Sequence, residues 1–147
     1  MTKPVKILVA LKLIEKPDDM LKYSQNIAKK FSAKLFPLHV IQDMPHYSFY
    51  MDIYKLWEEF RDEAVKKTLK QMTKYINPLE NEFKDVEPMI KVGDPAEVIL
   101  VTAEKLDVDL IVIGKHRHKK GTKIIFKQGL AERIVRESSC PVLCMPL

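Results

Sequence analysis

Five apolar runs recur along the chain, and each has the length of a β-strand. The first, VKILVAL (Val5–Leu11), is nearly continuous and rich in β-branched residues, which is typical of a strand buried on both faces. The same pattern predicts strands over Ala33–Ile41, Val86–Val92, Val108–Gly114 and the final PVLCMPL. Pro37 interrupts the second run and predicts an irregularity there, because proline cannot donate to a strand ladder.

Amphipathic segments with a period near 3.6 residues lie between these runs and predict four helices. They cover Pro17–Phe31, Ser48 to about Ile76, the segment that opens at Asp94 and Pro95, and Leu130–Ser138. Asp94 is expected to cap the third helix and Pro95 to occupy its first turn. The connection NPLENEF is expected to follow the second helix.

The second helix is the longest, and its apolar residues are expected to form one core-facing side. Aromatic residues at helical spacing are more often part of the core than a stacking platform. The expected core-facing set is Ile53, Leu56, Trp57, Phe60, Ala64, Leu69, Met72 and Ile76.

The strict alternation of strands and helices predicts an α/β fold. Such units form an open parallel sheet with right-handed crossovers and helices on both faces. The chain of 147 residues, without an internal repeat, is predicted to be a single domain over residues 1–147. Ligands of such sheets bind beyond the carboxyl ends of the strands, where the winding direction reverses.

Composition narrows the class of protein further. With 46% hydrophobic and 31% charged residues, the chain is typical of a globular protein, and its net charge of +5 is mild. No apolar run reaches the roughly 18 residues of a membrane span, and the N-terminal run predicts a strand rather than a signal peptide. We therefore expect a cytoplasmic protein without a membrane partner. Cys140 and Cys144, about 13 Å apart along a strand, are expected to be buried, reduced thiols.

Three of the four glycines lie in one basic segment, VIGKHRHKKGTKIIFKQGLAER (Val112–Arg133). Gly114, Gly121 and Gly129 would allow the backbone to approach a phosphate closely. The alternative is a solvated basic turn, which is the more common use of a charged loop.

Several stretches together resemble the universal stress protein (UspA) family. They are KILVAL near the start, VGDPAEVILVTAEKLDVDLIVIGKHR, and LAERIVRESSCPVLCMP near the end. The resemblance implies a five-stranded parallel sheet in the order 3-2-1-4-5 and a homodimer formed by the last strands. The apolar run at the end of the chain would lie on a sheet edge, which needs a partner or protection. The dimer strand would contain Val142, Leu143, Cys144 and Met145.

Many members of this family bind ATP with a loop of the pattern Gly-x2-Gly-x9-Gly-Ser/Thr after the fourth strand. Gly114 matches the first glycine, but Arg117 stands at the second and Gln128 at the third, and no alignment keeps the hydroxyl residue. Lys12 stands where ATP-binding members carry an aspartate. The candidate residues for a nucleotide or anion are Ala10, Leu11, Lys12, Val40, Gly114, Lys115, His116, Arg117, Gly121, Gln128, Gly129 and Leu130.

Two interpretations of this degenerate motif stay open. In one, the basic side chains and backbone amides hold ATP or another phosphorylated ligand. In the other, the protein is a member that binds no ATP. In both it is a regulatory stress-response module with unidentified protein clients and without catalytic or metal-binding residues. His39, inside FPLHVI, is expected to be a core or sheet-end residue, and the basic loop lacks the aromatics typical of nucleic-acid binding.

Overall fold

The computed structural model describes residues 5–13, 17–43, 51–80, 85–116 and 129–147. Strands and helices alternate throughout these ranges, as the hydrophobic pattern predicts. The elements are β1 (Lys6–Ala10), α1 (Pro17–Phe31), β2 (Lys34–Gln42), α2 (Met51–Glu80), β3 (Met89–Gly93), α3 (Pro95–Leu106), β4 (Leu110–Lys115), α4 (Leu130–Glu137) and β5 (Val142–Pro146).

The strands form one parallel sheet in the order β3-β2-β1-β4-β5, which confirms the expected topology. The side chains of β1 are buried on both faces, since Ile7 and Val9 belong to one core cluster and Leu8 to the other. Residues of α1 and α2 complete the first cluster, and residues of α3 and α4 complete the second. The sheet is therefore the middle of three layers.

The start of β1 is anchored to the start of β4 by one carboxylate. Asp109 Oδ2 accepts hydrogen bonds from the backbone N–H groups of Val5 and Lys6, each at 2.9 Å. The Lys6 ammonium also donates to the carbonyl oxygen of Leu106, at 2.9 Å. These bonds satisfy donors at the end of the central strand.

The expected strand Val86–Val92 is shorter in the structure, and Pro37 explains the difference. Leu35 exchanges hydrogen bonds with Asp85 and Glu87, so Val86 forms only an isolated bridge. The backbone N–H and C=O groups at positions 35 and 37 face the same neighbouring strand, because the direction of these groups repeats every two residues. Pro37 has no N–H to donate, so the ladder is interrupted at that position. Regular pairing with β2 resumes at Met89, where β3 begins.

The expected core-facing side of α2 is only partly correct. Met72 and Ile76 are fully buried, but Ile53, Leu56 and Phe60 are about half exposed, at 49%, 52% and 53%. Leu69 is also exposed, at 38%. A helix of 30 residues is about 45 Å long, whereas a strand of nine residues spans about 30 Å. The sheet is therefore too small to cover the whole helix.

The C-terminal end of α2 differs from the expectation as well. The helix continues through Asn77 and Pro78 to Glu80 instead of giving way to a connection after Ile76. Proline removes one intrahelical donor, and in the last turn that loss affects only a single hydrogen bond.

The other helix ends follow local chemistry. Asp94 caps α3 by accepting a hydrogen bond from Glu97 N at 3.0 Å, with Pro95 in the first turn, as predicted. Ser32 follows α1 and Asp107 follows α3, and both adopt the left-handed conformation with φ of 53°. Each is followed by a backbone bond back to the helix, from Ala33 to Ala28 and from Val108 to Ala103.

Both cysteines are free thiols, as expected, but they are half-buried rather than buried. Cys144 lies in β5, which has a strand on only one side, and Cys140 precedes it. The position at the sheet edge explains their exposure. Within the described ranges, no helix combines the length and apolarity required to cross a membrane.

Candidate functional site

A cleft of about 550 Å³ opens at the carboxyl edge of the sheet. Its floor is built from the ends of β1, β2 and β4, and its walls from the first turns of α3 and α4. The chain winds from β1 toward β2 on one side and returns to β4 on the other. The cleft therefore lies at the position where open α/β sheets bind ligands.

The structure brings nine of the predicted site residues together on this cleft. Residues at the strand ends and in the turns that follow them lie on the same cleft as residues at the start of α4, although the two groups are far apart in sequence. The nine are Ala10, Leu11, Lys12, Val40, Gly114, Lys115, His116, Gly129 and Leu130. Arg117, Gly121 and Gln128 lie outside the described residues. Contact of any of these residues with a ligand stays a prediction.

Apolar and charged residues divide the cleft between them. Leu38 and Ile99 are buried side chains that contribute to its lining, together with Val40. Lys12 and Lys115 are exposed where the strands end. An apolar floor with a few polar groups at its rim is typical of small-molecule sites.

Gly114 is packed against other side chains of the protein. A Cβ atom there would lie 2.6 Å from Leu147 Cδ1 and 3.1 Å from Met20 Sδ. Leu147 is held in place by a 2.9 Å bond from its N–H to the carbonyl oxygen of Lys115. A larger residue at this position would have to displace the side chain of Leu147, so Gly114 suits the internal packing whether or not a ligand approaches it.

The start of α4 is occupied by an acidic side chain. Gly129 is the N-cap residue and offers no side-chain cap. A Cβ atom on Gly129 would collide with the carboxylate of Glu132, which folds back over it. A carboxylate at this end of a helix is favoured by the helix dipole. An incoming anion would have to share the helix end with Glu132 or displace it.

An ion pair spans the cleft between α3 and α4. Arg133 Nη1 lies 3.1 Å from Asp94 Oδ2, and Arg133 Nε lies 3.3 Å from Glu137 Oε1. Arg136 donates to Glu137 as well, at 3.1 Å. This hydrogen bond from Arg136, together with the charge of Arg133, lowers the pKa of the Glu137 carboxyl below its ordinary value. Such exposed pairs contribute little stability. Of these four side chains, Asp94 and Arg133 line the cleft.

Sequence reasoning missed the residues that narrow the cleft. Met20, Glu132, Arg133 and Leu147 all line it, and none was a candidate. Asp94 was recognised only as a helix cap, although that role itself places it at the carboxyl edge of the sheet. Glu132, three positions after the N-cap residue Gly129, carries the signal of a residue that folds back on its own helix end.

His39 lies beside the cleft in β2. It is half-buried, and its Nδ1 is 2.9 Å from the carbonyl oxygen of Leu11. The expectation is a core or sheet-end residue, and His39 lies inside β2, paired with Ile90 of β3. Among the residues that the structure describes, no group of three or more histidine, cysteine, aspartate or glutamate side chains could hold a metal ion.

Comparison with known proteins decides the family. A model described as the Universal stress protein family matches residues 5–146. The chain belongs to that family. Its sequence is 32% identical over 127 residues to the universal stress protein MJ0531 of Methanocaldococcus jannaschii, covering 83% of this chain and 70% of that protein.

Solved structures of universal stress proteins share the fold. Hypothetical protein MJ0577 is similar with a TM-score of 0.78 at 24% identity, covering 99% of this chain and 98% of the other. A universal stress protein from Archaeoglobus fulgidus, solved in complex with dAMP, is similar with a TM-score of 0.66 at 17% identity. That match covers 97% of this chain and 98% of the other. At these identities the likeness shows the fold.

Proposed function

We propose that this universal stress protein is a non-catalytic, homodimeric regulatory module of the cytoplasm, and that its cleft binds an adenine nucleotide or another phosphorylated ligand. The observation that carries the ligand proposal is the convergence of nine predicted residues on one cleft at the carboxyl edge of the sheet. The related Archaeoglobus fulgidus protein in complex with dAMP supports it.

The division of the cleft suits the two halves of a nucleotide. A flat apolar base would pack on the side formed by Leu38, Val40 and Ile99. A phosphate would lie near Lys12 and Lys115, whose ammonium groups favour anions. In this proposal a bound nucleotide acts by changing which state of the protein is populated.

Internal packing favours a second candidate function, in which the protein is a scaffold without a small-molecule ligand. Leu147 and Met20 fill the space beside Gly114, and Glu132 covers the start of α4. In this case the two places where family members use glycine would be closed by the protein itself.

Thermal unfolding with and without Mg-ATP, AMP and other phosphorylated metabolites separates the two candidates. A ligand at 100 times its dissociation constant stabilises the native state by about 2.7 kcal/mol. Val40→Trp, which fills the apolar side of the cleft, should remove the shift. Val101→Trp, on an exposed position of α3 outside the cleft, is the matched control and should retain it. No shift with any ligand at millimolar concentration rejects the ligand proposal and leaves the scaffold.

Lys12→Asp tests the charge at the cleft directly. If the lysine contacts a phosphate, its replacement by an acid should abolish the shift caused by the ligand. If instead the lysine excludes ATP, the acid should create a shift with Mg-ATP that the wild-type protein lacks. If the ligand shifts the thermal unfolding of the wild-type protein and of Lys12→Asp equally, the phosphate does not lie near Lys12.

A further inference from the structure

The N-terminal half of α2 carries a line of exposed apolar side chains, which we call the apolar stripe. It consists of Ile53, Leu56 and Phe60, each about half exposed. Their spacing of three and four residues aligns them along one side of the helix. Three large apolar side chains in a row form a patch, whereas exposed residues scattered singly need no explanation.

The stripe is separate from the side of α2 that packs on the sheet. Met72 and Ile76 mark the core-facing side, at 0% and 1% exposure. At 100° per residue, Phe60 points about 120° away from Met72 around the helix axis. The stripe is therefore a second apolar surface and not the edge of the core.

An acidic row runs beside the apolar stripe. Asp52, Glu59 and Glu63 are all exposed and follow one another at spacings of seven and four residues. Residues 51–64 contain five acidic and two basic side chains, although the chain as a whole has a net charge of +5. This half of α2 therefore has a local charge opposite to that of the molecule, and it favours a basic partner.

The helix that carries these residues is held to the body of the protein. Trp57 donates a hydrogen bond of 2.8 Å from its indole N–H to Asp43 Oδ1, just after β2. Trp57 is half-buried, next to the exposed Leu56 in sequence. The stripe is thus presented on a positioned element, which lowers the entropic cost of binding.

We propose that the apolar stripe and the acidic row together dock an amphipathic helix of a client protein, with lysine or arginine residues flanking its apolar face. Helix-on-helix packing would bury the stripe, and the basic flank would meet Asp52, Glu59 and Glu63. None of the α2 residues that the structure describes lines the cleft. The apolar stripe and the cleft are therefore separate surfaces of the protein.

The charge pattern distinguishes this occupant from two others. Beyond Phe60 the same sides of α2 carry Lys66, Lys67 and Lys70, so the stripe of a second copy could overlap with this one over only two turns. Such stripe-to-stripe packing would also bring the acidic rows of the two copies together, and like charges repel. An anionic membrane surface would be repelled by the acidic row.

A synthetic helix provides the probe. A fluorescein-labelled peptide of about 15 residues, with leucine on one face and lysine on the rest, is titrated with the full-length protein and followed by anisotropy. The matched peptide carries glutamate in place of lysine. The lysine peptide is expected to bind at least about tenfold more tightly than the glutamate peptide, and salt should weaken its binding. Emission from the single tryptophan, Trp57, should change on binding.

Variants locate the binding surface. Leu56→Ser and Phe60→Ser should each weaken binding of the lysine peptide by about tenfold. The double change Glu59→Lys, Glu63→Lys should remove the preference of the protein for the lysine peptide over the glutamate peptide. Val135→Ser and Glu104→Lys, exposed on α4 and α3, are the controls and should change nothing. Circular dichroism and thermal unfolding confirm that all variants are folded.

Three results would overturn the proposal. The first is equal binding of the peptide by wild-type and stripe variants, or no binding by either. The second is a wild-type assembly larger than a dimer that Leu56→Ser reduces in sedimentation, because a second copy would then cover the stripe. The third is flotation of the wild-type protein, but not Phe60→Ser, with phosphatidylglycerol vesicles.

Discussion

Asp109 shows how one residue can hold together two distant parts of the chain. Its Oδ2 atom accepts from the N–H groups of Val5 and Lys6, next to the first residues of the central strand. At this end of the sheet the neighbouring strand β4 has not yet begun, so it offers these two N–H groups no carbonyl acceptor. The carboxylate takes that place and is a stronger acceptor than a carbonyl. Asp109 itself lies just before β4, the neighbour of β1 in the sheet.

Asp109→Ala is expected to lower the free energy of unfolding by about 1–3 kcal/mol, because two backbone donors lose their acceptor. Asp109→Asn should cost less, since the amide oxygen can still accept one bond. Guanidinium denaturation followed by Trp57 emission measures both. Glu104→Ala, exposed on α3, is the control and should stay within about 0.5 kcal/mol. Equal stability of Asp109→Ala and wild type would show that water replaces the carboxylate.

Helices α1 and α3 end in the same way, although their sequences differ. Ser32 and Asp107 both have φ of 53°, a conformation that non-glycine residues pay about 1 kcal/mol or more to adopt. Gly93 also has a positive φ, of 152°, but there a Cβ atom would lie 2.7 Å from Val98 Cγ2. The two helix ends tolerate a side chain, and the Gly93 position does not.

Ser32→Gly and Asp107→Gly are each expected to raise stability by about 0.5 kcal/mol, because relief of the left-handed strain exceeds the entropy that glycine adds to the unfolded chain. Gly93→Ala should do the opposite, since it introduces both strain and a collision. Thermal unfolding of the three variants under identical conditions gives the comparison. A loss of stability in Asp107→Gly would mean that its side chain contributes more than its backbone costs.

The elements also show what sequence patterns can and cannot predict. Periodicity and capping predict β1, β2, β5, the start of α3 and the whole of α4 to within about one residue, because these signals are local. The late start of β3 follows from Pro37 in the neighbouring strand, which the apolar pattern of Val86–Val92 does not show, although Pro88 directly before Met89 is a local signal. In α2 the period identifies a helix with an apolar side, but it cannot show how far the sheet reaches beneath it.

In the candidate site, too, the sequence shows local features but not contacts between elements. The fold places strand ends together, so Ala10, Lys12, Val40 and Gly114 could be assigned to one cleft from their positions alone. The side chains that narrow the cleft belong to other elements, and contacts such as that between Leu147 and Gly114 leave no trace in the local sequence.

At the scale of the whole molecule, the two edges of the sheet differ in protection. Ile111 and Lys115 bond to Pro141 and Leu147, so the N–H groups of Val142 and Cys144 point away from β4. The run VLCMP of β5 contains no charged residue, whereas β3 carries Lys91. Lysine is a typical guard of an edge strand. The β5 edge is thus the one suited to pairing with a second copy.

Cys144→Pro tests the proposed dimer. It removes an N–H that points to the open edge and leaves the bonds to β4 in place, a position where edge strands tolerate proline. Light scattering after gel filtration should show a dimer for the wild type and a monomer for Cys144→Pro. Val92→Pro makes the same change at the open edge of β3 and should stay dimeric. A dimer that survives Cys144→Pro would place the interface elsewhere.

The central position of β1 has a consequence for synthesis on the ribosome. Val5 and Asp109 are in contact although they lie 104 positions apart in the chain. The emerging polypeptide can pair β1 with β2 early, but one side of β1 stays without its neighbour until β4 has left the exit tunnel. During that interval chaperones have an opportunity to bind β1, whose residues Ile7, Leu8 and Val9 are fully buried in the folded protein.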